Sequence, residues 1–251
     1  MHQAGKGTSL KTLGPRAGAA SRIRVPILEE PDDTTVWRFV RASRPIVLEP
    51  RQPHPGYRSI AKRTLDLSIS AILLVLMTPI LLILAVIIKS TSRGTILFRH
   101  QRAGFAGKIF TLLKFRTMKD TPDVGTTPKD GRTFAKLNPY DHRITWIGRF
   151  LRRFSLDEIP QLINVLKGDM SLVGPRPLVA EEVVRLQGED FQRFLMRPGI
   201  TGLWQVSGRN LVSDRKRRAL DRVYVLRWSK WLDLKILLKT LPIVISGRGA
   251  R

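Results

Sequence analysis

Ile69-Ser-Ala-Ile-Leu-Leu-Val-Leu-Met-Thr78-Pro79-Ile-Leu-Leu-Ile-Leu-Ala-Val-Ile-Ile88 carries no charge over its whole length. At a rise of ~1.5 Å per residue a helix of this run matches the ~30 Å hydrocarbon core of a bilayer. Two features oppose a simple crossing. Pro79 stands at mid-run, where it removes a backbone donor and kinks the helix. Both flanks are basic as well, with Arg58, Lys62 and Arg63 before the run and Lys89, Arg93, Arg99 and Arg102 after it. Positive charge marks the cytoplasmic side of a membrane segment, so the two ends call for the same face. A helix of about residues 66–89 that breaks at Thr78-Pro79 and returns to the side it entered satisfies both features. The Thr78 hydroxyl would then bond a freed carbonyl. A spanning helix that tolerates its proline is the alternative.

The 251 residues carry a net charge of +24 and no cysteine. Such a charge calls for an anionic partner: nucleic acid, an acidic membrane surface or phosphorylated substrates. Disulfides, thiolate catalysis and cysteine-based zinc sites are excluded. His2, His54, His100 and His142 lack metal-ligand spacing and read as structural or exposed. Residues 1–60 form a basic extension rich in proline and glycine, expected to lack stable structure. Its start has no apolar core, unlike a secretory signal. Residues 61–251 are expected to form one membrane-anchored domain of α+β class, mostly helical.

The chemistry is placed in Arg152-Arg-Phe-Ser-Leu-Asp-Glu-Ile-Pro-Gln161. Asp157 and Glu158 are adjacent carboxylates at an expected helix start, just after Arg149, Arg152 and Arg153. Two readings fit them. Ser155 with Glu158 three residues later matches a capping box, in which Glu158 only satisfies a free backbone donor. Alternatively, the positive end of a helix and arginines able to hold phosphate keep Asp157 ionised. That is the condition of a carboxylate nucleophile in phosphoryl chemistry.

The remaining motifs surround this pair. Thr95–Gln101 and Lys108–Phe115 alternate apolar and polar residues about Gly104 and Gly107, which predicts a hairpin. It delivers Lys114 and Arg116 of Lys-Phe-Arg-Thr-Met either to a site or to solvent. Asp120–Asn138 is turn-rich and expected to be mobile, and Ile159–Leu166 is an expected helix closed by Gly168. In Gly168–Pro177, Pro175 and Pro177 fix the backbone on both sides of Arg176, which suits bidentate phosphate recognition or a solvated turn. Val179–Leu195 predicts a second helix. Arg197–Asn210 is punctuated by glycine and presents Trp204, Gln205 and Arg209, able to stack on and hydrogen-bond a base or sugar; Trp204 equally suits a core. Asp214–Trp228 predicts a basic helix. Trp231–Ile245, with Lys235 and Lys239 one turn apart, is either an amphipathic helix in the bilayer interface or a core helix.

Taken together, Thr78-Pro79, Lys114–Met118, Ser155–Leu162, Gly168–Pro177 and Arg197–Asn210 resemble the motifs of the bacterial polyprenyl-phosphate sugar-1-phosphate transferases, small monotopic phosphoglycosyl transferases. The resemblance runs from about Lys62 to Ser246 and is nearest to members of exopolysaccharide pathways that transfer galactose or glucose 1-phosphate. Larger members carry further transmembrane helices ahead of this domain, so the chain resembles a minimal form. The resemblance implies that Asp157 attacks the β-phosphate of a UDP-sugar and expels UMP, and that the phosphosugar then passes to undecaprenyl phosphate. Glu158 would be its catalytic partner and Mg²⁺ would be held near Asp157. Lys114, Arg152, Arg176 and Arg209 would contact phosphate or nucleotide. It also implies a re-entrant helix hinged at Thr78 and Pro79, on the cytoplasmic face of the inner membrane, against a bilayer with anionic lipids; a homo-oligomer is compatible with it. The rival readings are a membrane-tethered basic protein that binds anionic lipid or nucleic acid without catalysis, and an anchored scaffold. No nucleic-acid motif supports the former, so nucleic acid is not an expected partner.

Overall fold

The computed structural model describes residues 55–119, 141–209 and 212–247. The N-terminal extension up to residue 54 and the turn-rich stretch after Lys119 lie outside the described residues.

The apolar run lies within one long helix, α1 (Ile60–Thr91). It starts ahead of the apolar residues because Ser59 caps it, its hydroxyl accepting the Lys62 N–H at 3.2 Å. Pro79 sits inside the helix. Its missing N–H leaves the Val75 carbonyl without a donor, yet the Thr78 hydroxyl donates to Leu74 O, at 2.7 Å. It therefore serves the neighbour of the carbonyl it was expected to satisfy. Folded structure holds α1 near both ends. Lys62 donates to Val173 O and pairs with Asp233, and Asp66 accepts the Leu172 N–H. Beyond the proline, Leu84 and Ile88 pack with Phe115, Ile147 and Leu151. Between these anchors Ile72, Val75, Leu76, Leu82 and Ile83 are exposed.

The predicted hairpin is present as β1 (Leu97–Ala103) and antiparallel β2 (Ile109–Phe115). Its register sets Phe98 opposite Lys114, His100 opposite Leu112 and Arg102 opposite Phe110. Opposed residues share a face, so Arg102 and Lys114 point to the same side. Helix α2 (Trp146–Arg153) begins at Thr145, whose hydroxyl accepts the Gly148 N–H at 2.9 Å. Gly148 is required there, since any side chain would overlap the Thr117 carbonyl. A single 3-10 turn, Leu156–Glu158, follows, and then α3 (Gln161–Lys167), closed by Gly168 at φ 94°. Arg63 of α1 donates to Val165 O and Leu166 O in the last turn of α3, where carbonyls lack a full set of helical partners.

Two short strands, β3 (Ser171–Val173) and β4 (Gly199–Thr201), form a parallel pair that the sequence did not announce. Here Gly174 and Gly199 cross so closely that a side chain on either would strike the other's backbone. The helix expected over Val179–Leu195 is broken into α4 (Ala180–Val183) and a 3-10 stretch, Gly188–Leu195. The break falls where Gln187 is extended and Gly188 takes φ 49°. Two helices finish the fold, α5 (Asp214–Leu226) and α6 (Lys230–Ser246). The largest core cluster joins Leu162, Val173, Met196, Tyr224, Val225 and Ile236. Helix α6 buries Ile236 as a core helix does, yet exposes Trp231, Leu238, Leu241 and Ile245. Trp146 and Phe150 of α2 are exposed in the same way. The described residues are mostly helical with little sheet and one long apolar helix, an architecture consistent with a monotopic membrane protein.

Candidate active site

The acidic pair occupies the turn between α2 and α3, with Asp157 buried at 8% exposure. The capping-box alternative does not hold. Ser155 lies in the left-handed region at φ 56° and ψ 23°, and its side chain makes no cap bond. Its hydroxyl instead accepts from Arg209 Nη2 at 2.8 Å. Arg209 is itself left-handed, at φ 47°. Sparse conformations of this kind persist where surrounding structure over-determines them. With its hydroxyl bonded to Arg209, Ser155 does not cap the turn that carries Glu158.

Cations gather on the pair from four separate segments. Burial pushes the Glu158 carboxyl up, and the neighbouring Asp157 adds to this, while Arg176, Lys114 and Arg209 oppose it. Lys114, at the end of β2, is driven down to about 8 by burial and held up in part by Asp157 and Glu158. Burial likewise lowers Arg152 and Arg209 against the pull of the carboxylates. Four of the expected residues (Lys114, Arg152, Arg176 and Arg209) therefore converge on the dyad. Pro175 and Pro177 are buried on either side of Arg176. The Arg176 carbonyl accepts from Arg193 Nη2 at 2.8 Å, and its guanidinium stands 5.7 Å from the Trp204 ring centre.

Two expected residues make contacts outside the dyad. Arg116 is buried with its Nη2 donating to Ser92 O and Oγ at 2.7 and 2.9 Å, so it clasps the end of α1. Being two residues past Lys114, it falls beyond the strand. Gln205 donates to Ile200 O at 3.1 Å and ties its own loop to β4. Thr78 and Pro79 sit in α1, apart from the dyad.

The structure also recruits residues that sequence reasoning passed over. Arg102 is close enough to Arg176, Glu182, Glu181 and Glu158 to interact electrostatically, and its Nε is buried without a partner. Ending the strand at Gln101 hid it; one more residue of alternation puts it on the Lys114 face. Thr117 accepts from Arg152 Nε at 2.9 Å and so aims that cation. Asn164 fastens α3 to β2, accepting the Leu113 N–H at 3.0 Å and donating to Thr111 O at 2.8 Å.

The described residues thus place a carboxylate pair ringed by cations on a domain that carries one long, exposed apolar helix. Residues 57–247 match the family model described as bacterial sugar transferase, and the chain belongs to that family. It is 41% identical over 200 residues to the exopolysaccharide production protein ExoY of Sinorhizobium fredii, covering 76% of this chain and 88% of that protein. To the UDP-glucose:undecaprenyl-phosphate glucose-1-phosphate transferase of Caulobacter vibrioides it is 41% identical over 217 residues, 82% of this chain and 78% of the other. To the undecaprenyl-phosphate galactose phosphotransferase of Salmonella typhimurium it is 42% identical over 198 residues, 75% of this chain and 41% of that protein. The chain likewise spans only 42% of an uncharacterized sugar transferase of Haemophilus influenzae, at 45% identity.

Proposed function

We propose that this chain transfers a hexose 1-phosphate, galactose or glucose, from a UDP-sugar to undecaprenyl phosphate, opening the assembly of an exopolysaccharide repeat unit. The observation that carries the reading is the convergence of Lys114, Arg152, Arg176 and Arg209 on Asp157 and Glu158. An Asp157 oxygen attacks the β-phosphorus of the donor. The bond from that phosphorus to the bridging oxygen breaks, and UMP leaves with the electron pair. A phosphate oxygen of undecaprenyl phosphate then attacks the same phosphorus and frees the Asp157 carboxylate. The cations stabilise charge on the transferring group, where preorganised donors contribute most. Glu158, raised toward its protonated form, limits repulsion between Asp157 and the incoming diphosphate.

Among the described residues no group of three or more histidine and acidic side chains gathers as a metal cage. Magnesium needs no such cage; it is held by one or two carboxylates with substrate phosphates and water. Asp157, with Glu158 beside it, fits that role, and the ion would supply further charge neutralisation at the diphosphate.

The reading includes a re-entrant α1 at the cytoplasmic face of the inner membrane, where UDP-sugars are found. Support comes from the anchoring of α1 near both ends by one folded domain, and from the exposed apolar residues between the anchors. The outward faces of α2 and α6 would rest in the same leaflet, near anionic lipids. Intact-mass measurement after incubation with a UDP-sugar alone tests the chemistry. A phosphosugar adduct is expected on the wild type and none on Asp157→Asn. An adduct on the variant, or none on an active wild type, overturns the covalent step. UMP release also separates this reading from a lipid- or nucleic-acid-binding protein without catalysis, which releases none.

A further inference from the structure

Behind Arg176 lies a cleft that the chemistry above does not use. Its walls include Arg176, Arg185, Arg193, Trp204, Arg217 and Asp221. Arg176 is the shared wall, since its charge acts both on Glu158 and on Asp221. Three observations mark the cleft as built for a ligand. First, the Arg176 and Arg217 guanidiniums both stand on the Trp204 ring, at 5.7 and 5.4 Å from its centre. Burial lowers Arg217, Glu182 of the same cleft opposes this, and the like charge of Arg176 adds to it; an anion between the two arginines relieves their repulsion. Second, the arginines lining the cleft outnumber its carboxylates, Glu182, Asp214 and Asp221. Asp221 is consumed by Arg193 at 2.7 Å, and Asp214 by Arg217. Third, Nε1 of Trp204 and Oδ1 of Asp221 are buried with no hydrogen-bond partner, although buried polar groups are nearly always bonded.

One orphan is a donor, the other an acceptor, and cations lie beside both. The ligand that satisfies all three combines a phosphate with a polar ring or sugar offering both a carbonyl and an N–H or O–H. A nucleoside monophosphate does so. We infer that this cleft receives the nucleoside monophosphate half of the donor, with Arg217 on its phosphate and Trp204 and Asp221 on the base or ribose. The inference rests on the UDP-sugar reading above and adds residues from α5 that no motif pointed to.

UMP binding to the full chain in detergent, followed by titration calorimetry, is the test. Arg217→Gln should weaken UMP at least tenfold and raise KM for the donor more than it lowers kcat. Trp204→Phe, which keeps the ring and deletes the N–H, should weaken UMP at least threefold. Arg215→Gln, on the same helix but exposed, should bind as wild type. An active wild type that does not bind UMP, or an Arg217→Gln enzyme that binds it within twofold of wild type, overturns the inference. Failure of the transferase reading itself looks different: wild type releases no UMP from any UDP-sugar.

Discussion

Asn164 is the point at which the site depends most on one neutral side chain. It is 1% exposed and pairs with β2 as a strand would, accepting from Leu113 and donating to Thr111. The next residue along β2 is Lys114, and the turn just before α3 carries Asp157. Asn164→Leu fills the same space but leaves the buried Leu113 N–H without an acceptor, at a cost of ~1–3 kcal/mol. The Thr111 carbonyl is only part-buried and can turn to water, adding ~0.5–1.5 kcal/mol. Together these make about 2–4 kcal/mol, which at ~2–4 °C per kcal/mol for a domain of this size lowers Tm by about 5–15 °C. If β2 also shifts, one charged contact from Lys114 weakens, and a loss of ~1.5–3 kcal/mol lowers kcat/KM about tenfold or more. Asn164→Asp separates hydrogen bonding from shape. It keeps the acceptor for Leu113 but turns a carboxylate toward Thr111 O and Asp169, the two acceptors of its lost N–H groups. Burial raises the pKa of such an acid above its unfolded value, so the variant should recover stability as pH falls and lose it as pH rises. Thermal unfolding in detergent across pH, with initial rates alongside, checks both. A Tm for Asn164→Leu within about 2 °C of wild type, or an Asp variant indifferent to pH, would refute this dependence on Asn164.

Lys114 loses its proton at about 8, so kcat/KM for the donor should fall above that pH, and Lys114→Arg should move the limb upward. Stability should run the other way: between about 8 and the unfolded value of 10.5 the native chain holds fewer protons than the unfolded one, so it gains stability. A fold that weakens in step with activity would contradict this. Arg152→Ala and Arg209→Ala should each cost about ten- to a hundredfold in kcat/KM, the loss of a charged hydrogen bond. Arg116→Ala should lower Tm with a smaller kinetic effect, because it releases the end of α1; the reverse pattern would place Arg116 in the site. For topology, single cysteines at Ser59 and Ser92 of this cysteine-free chain should both resist an impermeant reagent in intact spheroplasts. Labelling of one alone from outside would mean that α1 spans.

Sequence alone determined what depends on local rules. The apolar run, the hairpin, the glycine stop after α3 and the carboxylate pair follow from hydropathy, alternation and spacing, each set by near neighbours. Convergence of Lys114, Arg152, Arg176 and Arg209 on that pair was expected only through the motifs' resemblance to a family, since their charges meet across four separate segments. Tertiary structure decided the rest. Whether Ser-x-x-Glu caps a helix was settled by the left-handed turn at Ser155, which a bond from Arg209, distant in sequence, helps to hold. Arg116 went to Ser92 and not to the dyad because β2 ends at Phe115, so strand alternation no longer holds Arg116 on the Lys114 face. The parallel pairing of β3 with β4, the break in the helix expected over Val179–Leu195 and the cleft behind Arg176 all depend on contacts between distant residues. A pattern read along the chain records which faces are apolar; packing alone selects which faces meet.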